Sequence, residues 1–131
     1  MRLKELMIGN IVLYDGKPAV VGCLSDYDIK IDLFREGEDV PCAEIWQEDI
    51  EDCHPMPLTA EILHKNGFYR IGPDLYLDEN GYHITLNPHD PSDCNKDDFY
   101  LHISIMNINI KYVHQLQNIF NLIGLDKKIV L

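Results

Sequence analysis

The first half of the chain alternates between short apolar runs and turn residues, which is typical of β-strands joined by tight connections. Runs rich in Val, Ile, Leu and Tyr lie at 10–14, 17–23, 27–33 and 40–46. Asp15-Gly16, between the first two runs, is a strong signal for a two-residue hairpin turn. Together with a short fifth strand at 49–52, these runs predict an SH3-like small β-barrel or a rolled sheet, and we take the barrel as the leading prediction.

The segment His54-Pro55-Met56-Pro57 marks a change of organisation. Each proline lacks a backbone N–H and restricts the residue before it, so the segment is predicted to break both helix and strand. We therefore expect two parts: an SH3-like β-barrel over residues 1–53 and an α+β subdomain over residues 54–131.

The second half mixes helical and strand periods. Thr59 is predicted to cap a short helix that ends at Gly67, and Asn80-Gly81 predicts a hairpin turn. Residues 101–105 alternate as a strand does, with His102 on the polar side. His83 has the polar position on the second strand of the hairpin, so that the two histidines could be cross-strand neighbours. A helical stripe follows, formed by Ile110, Val113, Leu116, Phe120 and Ile123. The order is helix, β-hairpin, strand and helix, the fold class is α+β, and residues 127–131 form a last edge strand or a docked tail.

The charge balance narrows the kinds of partner. The formal net charge is −11, and residues 26–53 hold eleven acidic residues against Lys30 and Arg35. Such a balance repels a phosphate backbone, so direct nucleic-acid binding is disfavoured. A protein partner with a basic surface fits the charge, and so does the simpler interpretation of a solvated acidic face.

Cysteine usage and hydropathy indicate a compartment. The four cysteines are widely scattered, and the first residues lack an apolar core of signal-peptide length. No apolar run approaches the roughly 20 residues that cross a bilayer. We therefore expect a cytoplasmic protein with free thiols and no membrane association.

The motifs of common active sites are missing from the sequence. Cys53, His54, His89 and Cys94 could be combined into a zinc site, but the close paired spacing of structural zinc ligands is lacking. The acidic loop 90–98 lacks the calcium-loop spacing, and the chain has neither a nucleophile elbow nor a phosphate loop. The sequence predicts no enzyme, no cofactor and no metal.

Three stretches, taken together, resemble a family. They are Leu6–Val12 (LMIGNIV), Pro55–Phe68 (PMPLTAEILHKNGF) and Tyr112–Asn118 (YVHQLQN). In this order they resemble short uncharacterised proteins of Bacteroides-group gut bacteria and of their phages and mobile elements. The resemblance implies an accessory protein of a mobile element and supplies no catalytic residues.

The leading hypothesis is a non-enzymatic protein-interaction module, with self-association allowed. Packing leaves the polar residues of the Tyr112–Asn118 stretch unexplained, and Trp46 lies among the acidic residues. The candidate partner-binding residues are Trp46, Tyr112, His114, Gln115, Gln117 and Asn118. The alternative is an acidic nucleic-acid mimic that inhibits a DNA- or RNA-binding protein, for which the acidic block 26–53 would supply the charge.

Overall fold

The protein combines two antiparallel sheets with two helices, so the α+β class is confirmed. A computed structural model describes residues 6–24, 29–33, 43–47, 53–89, 98–104 and 106–131. All secondary structure and contacts below concern these residues.

The first sheet contains β1 (Ile11–Tyr14), β2 (Lys17–Leu24), β3 (Ile29–Leu33), β4 (Ala43–Gln47) and β5 (Cys53–Pro55). Its strand order is β4-β3-β2-β1-β5. The turn between β1 and β2 has positive φ at Asp15 and Gly16, 50° and 75°, which is the type I′ geometry that the Asp-Gly pair predicts. Among the described residues no ladder joins the edge strands β4 and β5, so the ladders define an open order.

A β-bulge lies in β2, where the register with β3 shifts between Val21 and Cys23. Gly22 lies at this shift, and a Cβ atom built on it would collide with Oδ2 of Asp32. The missing side chain therefore makes room for the Asp32 carboxylate beside the β2 backbone. Bulges of this kind bend and twist a strand.

The predicted break at residues 54–57 is partly wrong, because His54 and Pro55 belong to β5. This strand is at the edge of the sheet and pairs with β1 alone among the described strands. An edge strand tolerates proline, since a missing N–H costs nothing on the side that has no neighbour. The fifth strand predicted at 49–52 lies outside the described residues.

The second sheet contains β6 (Tyr69–Ile71), β7 (Asp74–Glu79), β8 (Tyr82–Pro88), β9 (Phe99–Ile103) and β10 (Met106–Ile110), in the order β10-β9-β8-β7-β6. The hairpin at Asn80-Gly81 is confirmed, whereas β6 and β10 were not predicted. Ile110 was predicted to begin the helical stripe, but it ends β10 and lies outside the second helix, which starts at Val113. The error arises because Ile110 fits both the period of the strand and that of the following helix.

The first helix, α1 (Ala60–Lys65), begins and ends as predicted. The Thr59 hydroxyl accepts a hydrogen bond from the backbone N–H of Ile62 at 3.2 Å. Gly67 adopts a φ of +92°, and the Phe68 N–H donates to the Leu63 carbonyl at 3.0 Å, which closes the helix.

The second helix is α2 (Val113–Ile123), and Gly124 follows it with a φ of +79°. Neither of the described helices has the length and apolar character needed to cross a membrane.

The chain forms two compact units. Unit 1 comprises residues 1–56 and 113–118, and unit 2 comprises residues 57–112 and 119–131, so α2 begins in one and ends in the other. The apolar core of unit 1 includes Val12, Val21 and Leu116, whose exposure is 0%. That of unit 2 is built from the inward residues of the second sheet, from Leu63 and from Phe120. The predicted division at residues 53 and 54 into separate domains stays a prediction.

The C-terminal tail is docked within unit 2 and does not form a strand. The buried amide of Asn66 binds both main-chain groups of Val130: Nδ2 donates to the carbonyl and Oδ1 accepts from the N–H, each at 2.7 Å. Lys127 forms an ion pair with Glu79 at 2.8 Å, and Ile129 is buried. One asparagine side chain therefore pairs with the tail as a neighbouring strand would.

Candidate functional site

The Tyr112–Asn118 stretch makes several contacts inside unit 1. The Gln117 side chain accepts a hydrogen bond from the Ile11 N–H at 2.8 Å and donates to the Gly9 carbonyl at 3.3 Å. Oδ1 of Asn118 accepts from Nδ2 of Asn10 at 2.8 Å. Two of the predicted partner-binding residues thus hold the segment that leads into β1, and they connect the first resembling stretch with the third.

The middle resembling stretch joins the same unit through the backbone. The Val113 N–H donates to the Met56 carbonyl at 2.9 Å. His114 is 1% exposed and Gln115 is half-buried. The arrangement gives the polar residues of this stretch an intramolecular role, and their contact with a partner stays a prediction.

The two remaining predicted residues lie elsewhere. Tyr112 is half-buried in unit 2 and forms an isolated β-bridge with Pro57. Trp46 lies on β4, opposite Lys30 of β3, and only its backbone is described. Most of the acidic block around it lies outside the described residues, as does Cys94.

The second sheet has a polar and aromatic face that the sequence analysis did not identify as a site. Buried residues such as Leu75, Ile84 and Leu101 alternate along β7, β8 and β9 with residues that are half-buried or exposed. We call the side opposite the buried residues the outer face. Its members are Tyr69, Ile71, Asp74, Tyr76, Asp78, His83, Thr85, Asn87, Tyr100, His102, Asn107 and Asn109.

One row of the outer face crosses all five strands. It is formed by directly paired residues, in the order Tyr69, Tyr76, Thr85, His102 and Asn107. Direct neighbours in an antiparallel sheet have Cβ atoms about 4.5–5.5 Å apart, so the row is a continuous surface. His102 therefore faces Thr85, and the cross-strand pairing of His83 with His102 that alternation suggested does not occur.

A cluster of four side chains lies at the β6 end of this face. The Tyr69 hydroxyl donates to Oδ2 of Asp78 at 2.7 Å, and Nδ1 of His83 lies 2.6 Å from Oδ1 of the same carboxylate. The rings of Tyr69 and Tyr76 are stacked, with centroids 5.8 Å apart. These contacts hold Tyr69 in one orientation although it is 44% exposed.

A second aromatic pair lies toward the other side of the sheet. The rings of His89 and Tyr100 stack with centroids 4.1 Å apart, and Tyr100 is 37% exposed. Asn87 and Asn109 are the direct strand neighbours of Tyr100. One exposed tyrosine, Tyr69, is therefore held at the β6 end of the row, and another, Tyr100, is held on β9 beside the row.

The electrostatics of the cluster follow from its hydrogen bonds. The hydrogen bonds from His83 and Tyr69 lower the pKa of Asp78 below its usual 3.8. The hydrogen bond between the Tyr69 hydroxyl and Asp78 raises the pKa of Tyr69 above its usual 10.0. Among its twelve residues the outer face carries two aspartates and no lysine or arginine, so it attracts basic groups.

The remaining candidate chemistry is sparse among the residues the structure describes. No group of three His, Cys, Asp or Glu side chains there could hold a metal ion. Cys53 is 1% exposed, and burial raises the pKa of its thiol to about 11. Its thiol is therefore protonated and unreactive at neutral pH.

Comparison of the chain with models of known protein families, with curated proteins and with solved structures gives no match.

Proposed function

We propose that this protein is a non-enzymatic interaction module that binds a protein partner through the outer face of its second sheet. The observation that carries the proposal is the row of tyrosine, threonine, histidine and asparagine side chains across five paired strands. Protein-binding surfaces favour such side chains, because tyrosine offers a large contact area with few rotatable bonds.

The rigidity of the face supports binding. Tyr69 is held by Asp78 and Tyr76, and Tyr100 is held by His89. Side chains that are already ordered lose less conformational entropy when a partner covers them. Both tyrosines are exposed enough to be covered.

The charge of the face selects the partner. Asp74 and Asp78 lie on its β7 strand, and no lysine or arginine lies among its members. A partner with a basic or neutral surface is favoured, and an acidic one is repelled. This agrees with the net charge of −11 for the whole chain.

The finer assignment of the first sheet is also a proposal. The order β4-β3-β2-β1-β5, with a bulge in β2, supports an SH3-like barrel in which the bent strand contributes to both halves. We further propose that the protein is an accessory factor of a phage or mobile element, as the three resembling stretches imply. The nucleic-acid mimic stays an alternative that rests on the charge of residues 26–53.

The test is a comparison of three immobilised proteins in a lysate of a Bacteroides-group bacterium. They are the wild type, the double variant Tyr69→Ala/Tyr100→Ala, and Leu122→Ala as control. Leu122 is a 76% exposed apolar residue of α2 and lies outside the outer face. Bound proteins are quantified by mass spectrometry, and the main one is purified so that its Kd for each variant can be measured.

We expect the double variant to weaken binding of this partner at least about tenfold, since each central aromatic residue of an interface contributes about 1–2 kcal/mol or more. The control should bind as the wild type does. Equal binding by all three proteins would refute the role of the outer face. A partner that binds nucleic acid, is displaced by DNA and is insensitive to both tyrosines would favour the mimic.

A further inference from the structure

The last strand of the second sheet, β10, lies at its edge. Among the described strands it pairs with β9 alone, through five consecutive residue pairs without a bulge. Its sequence, Met-Asn-Ile-Asn-Ile, contains no charged residue and no proline. Natural proteins usually protect such edges with charges, prolines or bulges, and an edge without them is suited to pairing with another strand.

The hairpin geometry shows which backbone groups of β10 face away from β9. Ser104 begins the two-residue turn with a φ of +54°, and Met106 pairs with Ile103. In a two-residue hairpin the residues that flank the turn form a hydrogen-bonded pair, and hydrogen-bonded and non-hydrogen-bonded pairs then alternate. Asn107 and Asn109 therefore direct their N–H and C=O groups away from β9, to an edge that no other described strand occupies.

A contact further along the chain supports this assignment. Lys111 lies an even number of residues from Asn107 and Asn109, so its backbone groups are expected to face the same edge. Its carbonyl accepts a hydrogen bond from the Leu58 N–H at 2.8 Å. Leu58 thus occupies the edge position next to Lys111. Within the part of the chain that the structure describes, the strand edge without a neighbour is that of β10 itself, Met106–Ile110, and Ile108 is at its centre.

We propose that β10 pairs antiparallel with β10 of a second copy of this chain, about a two-fold axis at Ile108. Asn107 then lies opposite the second copy's Asn109, and Asn109 opposite its Asn107. Because each of these residues offers an N–H and a C=O, the register forms four backbone hydrogen bonds. The second sheets of the two copies then form one continuous sheet of ten strands. This proposal does not depend on the proposed function of the outer face.

Two observations favour a second copy over a foreign strand. The open segment is symmetric about Ile108, as an isologous contact requires. It is also neutral, so two copies that each carry a net charge of −11 can approach there without placing like charges opposite each other.

The first test is sedimentation analysis of the full chain over a range of concentrations. The wild type should approach twice its mass of 15.2 kDa as concentration rises. Asn109→Pro removes the outward N–H and leaves the ladder with β9, so it should raise the dimer Kd about tenfold or more, since two bonds are lost per dimer. Asn109→Ala keeps the N–H and should change the Kd less than about threefold.

The second test fixes the register and does not depend on the proline variant. Directly opposed residues of a non-hydrogen-bonded pair have Cα atoms about 4.5 Å apart, within disulfide range. Ile108→Cys should therefore form a disulfide-linked dimer on mild oxidation. Asn107→Cys places the two thiols on residues whose Cα atoms are about 8 Å apart, too far for a disulfide, and serves as the matched control.

A monomeric wild type at all concentrations would overturn the proposal, whether or not an extended peptide binds the edge. A dimer that Asn109→Pro leaves intact would overturn it as well. So would cross-linking through position 107 in preference to position 108.

Discussion

The buried side chain of Asn10 makes two hydrogen bonds within unit 1, and its removal tests how this unit is held together. Asn10 is 1% exposed. Its Oδ1 accepts from the Met7 N–H at 2.7 Å, and its Nδ2 donates to Asn118 at 2.8 Å. The substitution Asn10→Ala removes both side-chain bonds and keeps the backbone N–H and C=O of residue 10, which bond to Met7 and Val21.

The expected loss follows from these contacts. Each hydrogen bond contributes about 1 kcal/mol net, and the Met7 N–H and the side-chain Oδ1 of Asn118 each lose a partner at a part-buried position. We expect a decrease of about 2–3 kcal/mol in the free energy of unfolding, a large fraction of the ~5–15 kcal/mol typical of a domain. For a chain of this length it corresponds to a Tm lower by about 6–15 °C.

The assay is urea unfolding followed by intrinsic fluorescence. Trp46 is the single tryptophan of the chain and belongs to unit 1, so its signal reports the unit that the substitution affects. Asn118→Ala and the double variant complete a double-mutant cycle, whose coupling energy should reach about 1 kcal/mol. Asn121→Ala, at an exposed position of α2, is the control and should stay within about 0.5 kcal/mol of the wild type.

A decrease below about 0.5 kcal/mol for Asn10→Ala, or additive effects of the two single variants, would refute the reasoning. The resembling stretches at the two ends of the chain would then not be explained by mutual support. A role of Asn118 in partner binding would become the better interpretation.

Three further predictions concern other parts of the fold. Gly22→Ala should destabilise unit 1 by about 1–3 kcal/mol, because the added methyl group collides with the Asp32 carboxylate, and Asp32→Ser should restore part of the loss in the same urea assay. Spectrophotometric titration should show that Tyr69 ionises at higher pH than a free tyrosine, and Asp78→Asn should lower its pKa toward the usual 10.0. A titration that Asp78→Asn leaves unchanged would contradict the hydrogen bond. Cys53 should resist thiol reagents at pH 8 until the protein unfolds, and rapid labelling of the folded protein at this position would show that it is not buried. The free energy of unfolding should fall as the pH rises from 9.0 to about 11, because the thiol ionises at lower pH in the unfolded chain than in the folded one.

The outer face shows how far sequence reasoning reaches toward a site. Alternation along β8 and β9 placed His83 and His102 on the solvated side, and this was correct. It did not show that Tyr69 and Tyr76 join the same row, because β6 was not predicted and the row depends on the register of four ladders. Register is a property of paired strands and cannot be read from one strand alone.

The sequence by itself determined the features that depend on a few neighbouring residues. The turns at Asp15-Gly16 and Asn80-Gly81, the cap at Thr59 and the end of α1 at Gly67 all formed where predicted. The physical reason is that φ preferences and first-turn hydrogen bonds act within about four residues.

Only the tertiary structure decided the roles of the polar side chains. Asn10 and Asn118 are 108 positions apart, and Asn66 and Val130 are 64 apart. An asparagine has the same local preferences whether it contacts solvent, a partner or a distant segment of its own chain. Its role is set by which groups folding brings beside it, because a buried amide must find hydrogen-bond partners there.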